Sequence, residues 1–124
     1  MTDGPGRVLV VDDEPALGTM VQRALEPQGY AVSVTSHARA FKQLFESFAP
    51  TVVIIDIVMP DTDGIELIRW IAARNKEIRV IIASGSKSEY AKAAALLGAA
   101  AGLKTIINLR KPLSLKELRE AVRG

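Results

Sequence analysis

Three short runs constrain this chain more than anything else in it: "RVLVV" at 7–11, "TVVII" at 51–55 and "RVIIA" at 79–83. Each is continuous in β-branched residues and leucine, with no polar partner in alternation. A strand that is apolar on both sides has to be covered on both sides. That is the signature of a parallel sheet sandwiched between helices rather than of an antiparallel sheet with one wet face. The segments between the runs supply the helices. Pro15 suits a first helical turn, and "ALGTMVQRALEPQG" carries apolar residues at helical spacing until Gly29 stops it. "AVSVTS" reads as a second strand, and "ARAFKQLFESF" sets Phe41, Leu44, Phe45 and Phe48 on one helical face. "DGIELIRWIAAR" is helical. "SEYAKAAALLGAAAGL" is an alanine-rich helix expected to run to about Gly102, and "TIINL" is a fifth strand. "SLKELREAVR" is a closing helix with Ser114 at its cap. Five strands alternating with five helices predict a doubly wound α/β domain with a parallel sheet of flavodoxin-like order 2-1-3-4-5.

At 124 residues, the chain has the size of one domain with one core, and neither a repeat nor a linker divides it. Cysteine is absent, which excludes disulfides and thiolate metal sites and fits a reducing cytoplasm. "MTDGPGR" has no apolar leader, and no run approaches the roughly 20 apolar residues of a membrane span. Net charge is only +2, with the Lys and Arg scattered, so direct nucleic-acid binding is not expected. The acids are distributed differently: Asp12, Asp13, Glu14, Asp56, Asp61 and Asp63 fall into two short stretches.

In a doubly wound sheet, ligands sit past the carboxyl ends of the strands. There the first strand delivers Asp12 and Asp13, the third Asp56, the fourth Ser84 and the fifth Lys111. Two carboxylates about 4 Å apart repel by roughly 4 kcal/mol at an effective dielectric near 20. Such a cluster makes sense around a cation. Carboxylates on adjacent loops suit Mg²⁺, which takes oxygen ligands and keeps several waters, while a protonated lysine pairs with a carboxylate or a phosphoryl group. No glycine-rich loop follows the first strand, which disfavours a nucleotide cradle.

The segments "VVDDEP", "VVIIDIVMPDTDG", "IIASG" and "RKPL" together resemble the receiver domain of bacterial two-component response regulators, over essentially the whole chain. The resemblance implies a single receiver over residues 1–124, with the signature segments within 6–112 and a C-terminal helix over 113–124. It implies that Asp56 accepts a phosphoryl group from a sensor histidine kinase or phosphotransfer protein. This is a self-catalysed phosphorylation and dephosphorylation rather than turnover of an external substrate. It further implies Mg²⁺ held by Asp13, Asp56 and the Val58 backbone carbonyl, with Asp12 acting through water. Ser84 and Lys111 would meet the phosphoryl oxygens, Lys111–Pro112 would be cis, and Gly64 would open the turn into the next helix. The output would be a domain or partner that the sequence does not name, or a homodimer through the face of the fourth helix, fifth strand and fifth helix. Val58 and Ser86 flank the site and are expected to tune the lifetime of the phosphoryl group.

The chain departs from that pattern twice. Asn108 stands where such domains usually carry an aromatic, and the segment from Gly98 to Lys111 is longer than usual. These departures keep open a receiver-shaped interaction module that signals without phosphorylation. A Mg²⁺-dependent phosphohydrolase is a third reading, disfavoured because its acids are spaced Asp-x-Asp whereas Asp12 and Asp13 are adjacent. Other residues have plainer readings. Glu14 is taken as a helix-start acid, and Asp61 and Asp63 as parts of a solvated loop and turn. His37 reads as an exposed loop residue, Trp70 as a packing residue, and "GAAAG" at 98–102 as close helix packing.

Overall fold

The structure is a computed structural model that describes residues 6–59, 62–85 and 89–123. Five strands form one parallel sheet: β1 (Arg7–Val11), β2 (Ala31–Thr35), β3 (Val52–Asp56), β4 (Arg79–Ser84) and β5 (Thr105–Arg110), in the order β2-β1-β3-β4-β5. The order reverses between β1 and β3, which pair in parallel with Val11 opposite Ile55. The carboxyl ends of β1, β3 and β4 thus open into one crevice.

Five helices cover the sheet: α1 (Pro15–Leu25), α2 (Ala38–Phe48), α3 (Gly64–Arg74), α4 (Glu89–Ala100) and α5 (Leu115–Arg123). The alternation of side chains along each strand divides the core in two. Leu9, Val53, Ile55, Val80 and Ile82 face one layer with Phe41, Ile68, Ile71 and Ala94, so α2, α3 and α4 lie on that side. Val8, Val10, Ile54 and Ile81 face the other layer with Val21, Leu25, Leu118 and Val122 from α1 and α5. β3 is buried along its whole length, whereas β2 and β5 form the half-exposed edges. The three apolar runs are the three inner strands.

Local chemistry sets the element ends. Gly29 adopts φ 96°, which ends a 3₁₀ turn (Glu26–Gln28) after α1. At α5 the Glu117 N–H donates to Ser114 Oγ at 3.0 Å and the Ser114 N–H to Glu117 Oε1 at 3.1 Å, a reciprocal capping box. α4 stops at Ala100, two residues short of the expected Gly102. Gly102 takes φ 104°, and the Leu103 N–H donates to the Gly98 carbonyl at 3.1 Å, closing the helix end into β5. The small residues of "GAAAG" do serve close packing: a Cβ on Gly98 would lie 2.6 Å from Ile106 Cδ1 and 3.0 Å from Ile68 Cγ2. Trp70 packs edge-on against Phe45 at 5.1 Å between ring centroids, with Arg74 over its face at 3.7 Å. It therefore joins α3 to α2.

An antiparallel pair of two-residue strands, Val58–Met59 and Thr62–Asp63, follows β3, with Val58 opposite Asp63. Two-residue strands leave no periodicity to read, so it had no sequence signal. Asp61 and Ser86 lie outside the described residues.

Candidate functional site

Each backbone run that leaves the core at the carboxyl edge of the sheet delivers one piece of the site. β1 ends at Val11, and Asp12 follows with its N–H donating to the Thr35 carbonyl at 3.1 Å. The Asp12 carboxylate turns back on the chain and accepts the Glu14 N–H at 2.9 Å, holding the start of α1 against the strand end. Glu14 is the N-cap of α1 through its backbone alone; its side chain makes no capping bond. That matches the helix-start reading. Asp56 is the last residue of β3, and the Ile57 N–H donates across to the Ala83 carbonyl, which fixes the turn out of β3 against β4. Ser84 ends β4, and its carbonyl accepts the Lys111 N–H at 2.7 Å. The Lys111–Pro112 bond is cis.

The structure brings together the residues singled out by sequence. Asp12, Asp13 and Asp56 offer carboxylate oxygens that all lie within 4.8 Å of one another. Asp12 and Asp56 are buried, while Asp13 is exposed and forms the solvent side of the cluster. Lys111 Nζ stands 3.3 Å from Asp56 Oδ2, and Ser84 is buried beside them at the end of the neighbouring strand.

Three carboxylates face one ammonium. The Asp12 carboxyl is pushed up to about 7. Burial is the largest cause; a side-chain hydrogen bond to Asp56 and that residue's charge add to it, while the Glu14 N–H and Lys111 oppose it. A cation held between the carboxylates would offset what burial and the neighbouring acid cost the charged form of Asp12. The donor set is all hard oxygen, drawn from two adjacent strand ends and open on the Asp13 side. It fits Mg²⁺ with part of its water shell retained, and offers nothing to a soft metal.

Several residues play parts the sequence did not reveal. Asp63 is more than a turn residue. It caps α3, accepting the N–H groups of Ile65 (3.0 Å) and Glu66 (3.4 Å), and it accepts the Tyr90 hydroxyl at 2.6 Å. His37 caps α2, where Nδ1 accepts the Ala40 N–H at 3.3 Å. Asn108, in the place of an aromatic, donates from Nδ2 to the Ala91 carbonyl at 3.3 Å. An aspartate cap is a readable signal. A histidine cap and a tyrosine reaching across 27 positions of sequence are not.

The arrangement is that of a known class. Residues 8–123 match the response regulator receiver domain. The transcriptional regulatory protein TrcR of Mycobacterium tuberculosis is 33% identical over 120 residues, which cover 97% of this chain and 45% of that protein. A response regulator receiver domain from Clostridium thermocellum, solved as a crystal structure, is 28% identical with a TM-score of 0.78, covering 94% of this chain and 90% of that one. A chemotaxis response regulator of Vibrio cholerae, at 24% identity and a TM-score of 0.80, shares the fold over 94% of this chain and 95% of its own. This chain belongs to the response regulator receiver domain family. It spans about half the length of the curated relatives it matches. Among the described residues, no helix is long and apolar enough to cross a membrane.

Proposed function

We propose that this receiver takes a phosphoryl group onto Asp56 in a Mg²⁺-dependent reaction, with a sensor histidine kinase or phosphotransfer protein as donor, and so switches an output surface. The observation that carries the reading is the cluster of Asp12, Asp13 and Asp56 within 4.8 Å, opposed by Lys111 at 3.3 Å from Asp56. Mg²⁺ would be held by Asp13 and Asp56 with the Val58 backbone carbonyl, and by Asp12 through water. When bound, it neutralises charge that builds on the transferring phosphoryl oxygens.

The chain's own residues do the rest. One Asp56 oxygen attacks phosphorus as the bond to the donor histidine nitrogen breaks, and the imidazole leaves with the electron pair of that bond. Lys111 moves from the carboxylate to a phosphoryl oxygen. The Ser84 hydroxyl donates to another. Hydrolysis of the acyl phosphate by water returns Asp56 and inorganic phosphate. A groove beside the site, lined by Ala16, Leu17, Met20 and Leu113 and bounded by Asp12 and Lys111, gives a donor helix an apolar seat next to the acceptor. A cytoplasmic location belongs to the same reading.

Incubation with acetyl phosphate and Mg²⁺ tests it. Acid-labile phosphate is expected on the wild type and not on Asp56→Asn. No phosphate on the wild type would leave a receiver-shaped interaction module instead.

A further inference from the structure

We propose that Tyr90 is a latch: from the first turn of α4 it holds the start of α3 while Lys111 rests on Asp56, and it lets go when a phosphoryl group occupies Asp56. The inference rests on the phosphoacceptor reading above and adds to it the route by which the site reaches a helix.

The Tyr90 hydroxyl uses both of its hydrogen-bonding functions on one place. It donates to Asp63 Oδ1 at 2.6 Å and accepts the Ile65 N–H at 3.3 Å. Both partners belong to the N-terminus of α3. Asp63 also stands opposite Val58 in the two-residue antiparallel pair, and Val58 lies two positions after Asp56. A change at Asp56 therefore reaches Tyr90 through one strand pairing and one hydrogen bond. A second restraint meets the same turn of α4, since Asn108 on β5 donates to the carbonyl of Ala91, the residue next to Tyr90. The first turn of α4 is thus held at adjacent residues, by α3 through Tyr90 and by β5 through Asn108.

The site pulls on both ends of this arrangement. A phosphoryl group on Asp56 has to be met by Ser84, which ends the strand leading into α4, and by Lys111, which ends the segment carrying Asn108. Lys111 lies on the Asp56 carboxylate here, so the observed Tyr90–Asp63 bond belongs to the resting arrangement. A contact made only in the resting arrangement opposes phosphoryl binding, and the opposition is reciprocal.

Beryllofluoride with Mg²⁺, which mimics a phosphoryl group on a carboxylate, provides the test. Tyr90→Phe keeps the ring and removes the hydroxyl. It is expected to bind beryllofluoride about two- to ten-fold more tightly than wild type, the range that one net hydrogen bond supports. Equal affinity in wild type and Tyr90→Phe would overturn the latch while leaving the phosphoacceptor reading in place. Failure of the wild type to bind beryllofluoride would remove that reading and the latch with it.

Discussion

Asp12, Asp13 and Glu14 are three acids in a row with three different fates. Asp12 is buried, bound to the start of α1 and pushed up to about 7; Asp13 faces the solvent side of the cluster; Glu14 starts a helix through its backbone and stands outside the carboxylate cluster. The division has a direct consequence for metal binding. Loss of an outer partner of a metal typically costs 10- to 100-fold in affinity, so loss of a direct ligand should cost at least about ten-fold. Asp13→Ala is therefore expected to weaken Mg²⁺ binding by that much, and Glu14→Ala to leave it within about two-fold, both read by titration of the apoprotein. Equal losses would show that the acids act as one undivided cluster. The positions of Asp12, Asp13, Asp56, Ser84 and Lys111 were legible because each ends a strand or follows one within two residues, and the strands show in the sequence as apolar runs. Tyr90 was not, because a single aromatic in an alanine-rich helix looks like packing and its partner is 27 positions away.

At the scale of elements, the helices that read best carry their own punctuation. α5 has Ser114 and Glu117 in reciprocal bonds ahead of a face that buries Leu118 and Val122. Ser114→Ala is expected to lower global stability by about 1 kcal/mol, the usual worth of such a cap, measured by urea unfolding. No change would mean that docking of Leu118 and Val122 against α1 holds the helix without it. α4 is the opposite case. Its alanines favour helix everywhere and mark no end, so the stop at Ala100 comes from Gly102 in the left-handed region and from the Leu103 N–H closing on Gly98. The longer connection between α4 and β5 is taken up there, at the edge of the sheet opposite the acids. There the Lys104 N–H donates to the Lys76 carbonyl and its ammonium meets Glu77 at 2.6 Å.

For the whole molecule, strand order explains why a site assembled from distant segments was visible in one dimension. Parallel strands all point their carboxyl ends the same way, so residues at or just past the ends of β1, β3, β4 and β5 converge whatever their separation along the chain. The same geometry separates chemistry from packing: the buried faces of the strands hold two apolar layers, and the acids, Ser84 and Lys111 appear only where the strands end. On the proposed function, this edge carries a phosphoryl group on one residue. Borohydride reduction after incubation with acetyl phosphate tests it most directly, because an aspartyl phosphate is reduced to homoserine and peptide mass spectrometry locates the change. Homoserine is expected at position 56 alone, and only when Mg²⁺ is present. Homoserine at position 12 or 13, or the same yield at position 56 without Mg²⁺, would contradict the account.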